Sequence, residues 1–190
     1  MENNQNNNEK QGNSRRYLIV VDMQKDFIDG SLGTKEAQSI VEKVKEKILS
    51  YPKEMVYATM DTHGEDYLST QEGKMLPVPH CIKGTEGWGL HPMLKDLILP
   101  DHFFEKGSFG SLSLAEFMRE LFRQQDSMER ASIELVGLCT DICVVSNALL
   151  LKAFLPEIPI SVDSSCCAGV TKEKHLAALE TLRSCQIEIL

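Results

Sequence analysis

The chain reads as a doubly wound α/β domain, a three-layer α/β/α stack around a six-stranded parallel sheet. Three observations predict this. Short aliphatic or β-branched runs recur along the chain, separated by amphipathic helical stretches. The run Tyr17-Leu18-Ile19-Val20-Val21 is continuously apolar, as a strand covered on both faces must be. Finally, Asp22, Asp61, Lys106 and Cys143 each stand at or just past the end of such a run, where sheets of this type bind their ligands.

The bulk composition agrees. The 190 residues, 42% hydrophobic and 25% charged, suit one soluble domain with a real core. Residues 1–14 (MENNQNNNEKQGNS) contain Met1 as their one apolar residue and are expected to be a disordered extension, leaving 15–190 as the domain. A net charge of -8 argues against nucleic acid or an anionic membrane as partner. No apolar run approaches the roughly 20 residues of a membrane span. The polar N-terminus lacks the apolar core of a signal peptide. Six cysteines without a CxxC point to a reduced, cytoplasmic setting rather than a disulfide framework. A small molecule is the expected partner, with homo-oligomerisation left open.

The elements follow in order. After the first strand, Ala37, Ile40, Val41, Val44 and Ile48 form a helical stripe, and 55–60 is the next strand, completing a right-handed crossover unit. Residues 61–100 are rich in Gly, Pro, His and acidic residues and read as a long functional loop. A short strand at 102–105 leads to a helix opened by a Ser113/Glu116 capping box, with Leu114, Phe117, Met118 and Leu121 inward. A strand at 132–136 precedes an apolar helix over 144–154, capped by Thr140 or Asp141. A strand at 158–162 ending at Asp163, a helix over 171–185 with Leu176, Leu179 and Leu182 inward, and a strand at 186–190 close the chain.

Cys143 is thus expected in the first turn of a helix, where free N–H groups and the dipole favour a thiolate and an oxyanion. Taken alone it reads first as a small packing residue. Asp22 and Lys106 change that reading. A carboxylate can take the thiol proton and return it to a leaving group, and an ammonium keeps the pair charged. The three would form a cysteine hydrolase triad without histidine.

The long loop supplies a second set. Asp61 and His63, two apart, project to one side of an extended segment. Glu72 and His80 follow, with Glu65 or Asp66 as alternatives to Glu72. Two histidines and two carboxylates suit one divalent ion, zinc first, manganese or iron(II) otherwise. The segment from His80-Cys81 to Gly87 opens like a cysteine-phosphatase loop. It lacks the arginine such a loop needs, because Gly87 stands at that position.

The motifs Val21-Asp22-Met23-Gln24-Lys25-Asp26-Phe27, Asp61-Thr62-His63, Pro79-His80-Cys81-Ile82-Lys83-Gly84-Thr85, Lys106-Gly107 and Gly137-Leu138-Cys139-Thr140-Asp141-Ile142-Cys143-Val144 occur in this order. In this the chain resembles the isochorismatase-like cysteine hydrolases, from about Arg15 to the C-terminus. Its metal set resembles the nicotinamidase/pyrazinamidase branch, in the variant with a glutamate as third ligand. The resemblance implies a metal-dependent nicotinamidase serving NAD salvage, making the acid and ammonia through a thioester on Cys143. It implies Asp22 as base and acid, Lys106 as support, an oxyanion hole of the Cys139 and Cys143 N–H groups, and a cis peptide at Leu138–Cys139. Phe27 matches one ring-contacting aromatic. The other, three residues before the last metal histidine, is replaced by Pro77, and Trp88 or Phe109 is the candidate substitute. The alternatives are a related amidase or ureido-hydrolase acting on another small amide, and a non-catalytic binding module.

Overall fold

The computed structural model describes residues 15–124 and 131–190, so the extension at 1–14 lies outside the described residues. Strands β1 (Arg15–Val21), β2 (Val56–Asp61), β3 (Phe103–Lys106), β4 (Ala131–Leu138), β5 (Ile160–Ala168) and β6 (Glu188–Ile189) form one sheet in the order β3-β2-β1-β4-β5-β6. Every neighbouring pair is parallel. The helices are α1 (Lys25–Ile28), α2 (Lys35–Leu49), α3 (Gln71–Met75), α4 (Leu112–Arg123), α5 (Val145–Phe154) and α6 (Lys172–Ser184).

The apolar run of β1 divides its side chains between two cores. Tyr17, Ile19 and Val21 pack with Leu114, Met118, Ala148, Leu151, Leu179 and Leu182 of α4, α5 and α6. Leu18 and Val20 pack with Ile40, Val41 and Val44 of α2 and with Leu94 and Ile98. From Tyr17 to Val21 neither face of β1 meets water, which is why this run carries no alternation. The chain winds outward from β1 through β2 to β3, then returns to β4 on the other side of β1. The carboxyl ends of β1 and β4 therefore form the switch point.

At that point β1 and β4 approach closely. Gly137 is in register with Val21 and has φ +119°. A Cβ at Gly137 would collide with the Val21 carbonyl oxygen. Gly137→Ala therefore meets both a disfavoured backbone conformation and a steric clash. It is expected to lower stability by at least about 2 kcal/mol, read from the urea midpoint.

Several boundaries differ from the sequence expectation. Two further short helices, α1 and α3, lie in segments without enough length to show periodicity. The cap of α4 is Ser111, whose Oγ accepts from the Leu114 N–H, and Ser113 lies inside the helix. Phe117 and Leu121 are only partly covered, and Ala115 and Phe122 fill the buried face instead. In α6, Leu176 is exposed and Ala178 takes its inward place. Strand β5 runs on to Ala168, so Asp163 lies within it rather than at its end. Asp163 pairs there with Lys47 at 2.8 Å. Strand β6 spans only Glu188–Ile189.

Candidate active site

Four strand ends bring the predicted triad together. Asp22 follows β1 directly, with φ +46°. Its N–H donates to the Thr59 carbonyl (3.2 Å), and its Oδ1 accepts from the Thr59 hydroxyl (2.7 Å). Asp61 ends β2, and Lys106, its register partner, ends β3. Lys106 Nζ lies 2.8 Å from Asp22 Oδ2, 3.1 Å from Asp61 Oδ1 and 3.4 Å from Cys143 Sγ, and donates to the Ser108 carbonyl at 3.0 Å. All four side chains are buried. One ammonium thus holds two carboxylates and a thiol in a small volume.

Cys143 is not carried by the capped α-helix that the sequence suggests. Leu138–Cys139 is a cis peptide, and Thr140–Val144 forms a π-helical turn before α5. Thr140 and Asp141 do not cap this turn. The Thr140 hydroxyl hydrogen-bonds His175 Nδ1 (2.8 Å), and Asp141 Oδ1 accepts from the Val170 N–H (2.9 Å), tying the turn to α6. Asn147 holds the turn from behind. Its Nδ2 donates to the carbonyls of Cys143 (2.8 Å) and Phe109 (3.1 Å), and its Oδ1 accepts from the Ser111 N–H (2.9 Å). Gln24 does the same for Asp61, bonding both its N–H (2.7 Å) and its carbonyl (2.8 Å). These two amides were missed by sequence reasoning. The available signal was a polar amide within apolar surroundings, because buried amides are kept for their hydrogen bonds. Asn147→Ala leaves the buried Ser111 N–H unmet. It should cost about 2 kcal/mol by urea denaturation.

The electrostatics suit proton transfer. Burial pushes the Cys143 thiol well above its ordinary value, and the Asp22 charge adds to this. Burial also raises the Asp22 carboxyl, against the pull of Lys106. Burial disfavours the Lys106 ammonium, yet Asp22, Cys143 and Asp61 together hold it charged. Burial opposes ionisation of Asp61 too, but hydrogen bonds from His63 and His80, with Lys106, hold it well below the usual carboxylate range. Burial thus disfavours the charged forms of both the thiol and the Asp22 carboxyl beside one ammonium, an arrangement suited to passing a proton between them.

The second set also assembles. Ligand atoms of Asp61, His63, Glu72 and His80 all lie within 4.8 Å of one another. His63 Nε2 and His80 Nε2 stand 2.9 Å and 3.5 Å from Asp61 Oδ2, and 3.8 Å and 3.7 Å from Glu72 Oε1. Four donors around a tetrahedral zinc ion stand about 3.4 Å apart, so the set fits one divalent ion. His80 Nδ1 faces the Val78 carbonyl at 2.9 Å, which fixes the ring and leaves Nε2 for a metal. Glu72 rides on α3, and neither Glu65 nor Asp66 belongs to the cluster.

A cavity of about 740 Å³ opens above both sets, with Cys143, Cys139, Asp61, His63, Glu72 and His80 in its lining.

The isochorismatase domain family matches residues 16–190 of this chain. The chain belongs to the isochorismatase family of hydrolases. It is 28% identical over 187 residues to a nicotinamidase/pyrazinamidase of Mycobacterium tuberculosis, covering 92% of this chain and 98% of that protein. A pyrazinamidase of Pyrococcus horikoshii in complex with zinc superposes with a TM-score of 0.74 at 26% identity, covering 93% of this chain and 98% of the other. The Bacillus subtilis nicotinamidase/pyrazinamidase superposes at 0.77 and 27% identity, covering 92% and 98%.

Within this isochorismatase-family site the expected aromatics separate. Phe27 and Phe109 line the cavity, and the Phe27 ring lies 5.4 Å from that of His80. Trp88 does not line it. Its Nε1 donates to the Thr62 hydroxyl (2.9 Å) and its carbonyl accepts from Gln24 (2.8 Å), so it buttresses the Asp61 segment. Pro77 is also absent from the lining, while Leu76 is part of it. In the phosphatase-like segment, Cys81 is buried, its thiol is pushed up by burial, and its N–H donates to Asp26 Oδ2 (2.8 Å). That bond makes the segment a support rather than an anion cradle.

Proposed function

We propose that this hydrolase is a metal-dependent nicotinamidase that cleaves nicotinamide, and pyrazinamide, to the acid and ammonia in cytoplasmic NAD salvage. One observation carries the reading: Asp61 joins the two sets. Its Oδ1 pairs with Lys106 beside Cys143, and its Oδ2 faces His63 and His80. A nucleophile and a site able to grip a ring nitrogen therefore share one carboxylate at a fixed separation. The nicotinamidase and pyrazinamidase relatives support the same reading. Among the described residues no helix is long and apolar enough to cross a membrane.

In the proposed mechanism Asp22 takes the Cys143 proton, and Sγ attacks the carboxamide carbon. The developing oxyanion is received by the backbone N–H groups of Cys139 and Cys143. The C–N bond breaks as Asp22 gives its proton to the departing nitrogen, so ammonia leaves and a thioester remains. Water then adds to the thioester, Asp22 again taking and returning the proton, and the acid leaves Cys143. Lys106 balances the charge of Asp22 and the thiolate throughout. A divalent ion, zinc first, held by Asp61, His63, Glu72 and His80 would supply a Lewis-acidic anchor for the ring nitrogen or for bound water.

Purified protein should release ammonia from nicotinamide, and a strong chelator should abolish this, with zinc restoring it. Elemental analysis should find about one metal per chain, lost in His63→Ala/His80→Ala. Full activity without metal would refute the role of the second set. The alternative of another small amide draws on the replacement at Pro77. Turnover of such an amide without turnover of nicotinamide would establish it. An inert Cys143 and no hydrolysis at all would leave a binding module.

A further inference from the structure

We propose that the cavity has an outer apolar compartment that accepts aromatic primary carboxamides larger than a single ring, bearing an apolar substituent remote from the amide. This rests on the amide-hydrolase reading above. A volume of about 740 Å³ is the scale of a drug-sized ligand, not of one ring and its carboxamide. The reactive groups lie around Cys143 and the metal set. The exposed part of the lining carries Gln71, Ser108 and Lys174 as well as a set of large apolar side chains. Met75 (79% exposed), Leu76 (38%), Phe109 (47%) and Val170 (43%) all line this cavity. Eleven large hydrophobic side chains are exposed among the described residues, and these four stand around one opening.

The four come from three segments distant in sequence: the end of α3, the loop after β3, and the turn between β5 and α6. Their convergence is a property of the fold and not of one apolar stretch. Exposed apolar groups gathered around one opening mark a surface built to be covered. Here the opening leads to the nucleophile, which identifies the occupant as the outer part of the substrate. The chain of Met75 is unbranched and adaptable, and suits a variable substituent better than a rigid clamp would. Pro77 is absent from the lining, and aliphatic Leu76 is part of it.

Ammonia release from nicotinamide should be compared with release from nicotinamides carrying propyl or phenyl at ring carbon 5, which is adjacent to neither the amide carbon nor the ring nitrogen. At least one extended amide should exceed nicotinamide in kcat/KM by about tenfold, the size expected for apolar groups entering a hydrophobic pocket. The gain should lie mainly in KM. In Met75→Ser/Val170→Ser the ratio of extended amide to nicotinamide should fall to about one. Hydrolysis of nicotinamide with every extended amide slower would overturn the inference and leave the nicotinamidase reading standing. So would an advantage that survives the double substitution. A second copy seated on the rim would give that first pattern, with a dimer by size-exclusion that the double variant dissociates. No ammonia from any amide would overturn the nicotinamidase reading, and this inference with it.

Discussion

Cys143→Ala is expected to lower ammonia release from nicotinamide by at least about 10⁴-fold, with little change in fold or melting temperature. The alanine removes the sulfur that stands 3.4 Å from Lys106 Nζ, and it leaves the ligands of the metal set and the sheet in place. Asp22→Asn should be nearly as damaging, because the asparagine can neither take the thiol proton nor return it. Residues that act as one unit are non-additive. Adding Asp22→Asn to Cys143→Ala should therefore lower the remaining rate little further. A double variant much slower than either single one would mean that Asp22 and Cys143 act in separate steps.

Lys106→Met should remove activity and destabilise the protein together. The ammonium is buried with Asp22 at 2.8 Å and Asp61 at 3.1 Å, so its loss leaves the Asp22 carboxylate without a counter-ion and takes one from Asp61, which keeps His63 and His80. Breaking a buried ion pair on one side costs about 3–5 kcal/mol. Urea denaturation measures the loss, and the midpoint should fall with an unchanged slope. Adding Asp22→Asn to Lys106→Met should recover part of the stability, since one buried charge is then neutral, but none of the activity. A stability unchanged in Lys106→Met would show that the lysine is no structural counter-ion.

Much of the fold was legible because its strands are buried on both faces. Continuous runs such as Leu18 to Val21 have one physical reading, and the residues that end them mark the carboxyl edge. Asp22, Asp61 and Lys106 are legible in this way, because each stands at or just past the end of such a run. The cradle of Cys143 was not legible. A π-helical turn differs from an α-helical one by a single hydrogen-bond step, and nothing in Thr140–Val144 signals it. Thr140 and Asp141 have good capping chemistry, but their partners, His175 and Val170, lie about 30 residues away. Local patterns cannot reveal a tertiary competitor. Trp88 failed as a ring contact for a similar reason. Its indole N–H is used by Thr62, a bond that only the folded loop creates. Strand ends drifted by a few residues where the strand continues through polar residues past the apolar run, as at β5, which runs on through Asp163, Ser164 and Ser165 to Ala168.

The central claim is covalent: the substrate's acyl group passes through Cys143. Rapid acid quenching during turnover of nicotinamide, followed by mass spectrometry of the intact chain and its peptides, tests it most directly. The expected result is a nicotinoyl group on the peptide carrying Cys143, present during turnover and gone once substrate is exhausted. An unmodified Cys143 peptide throughout turnover, together with undiminished turnover by Cys143→Ala, would contradict it.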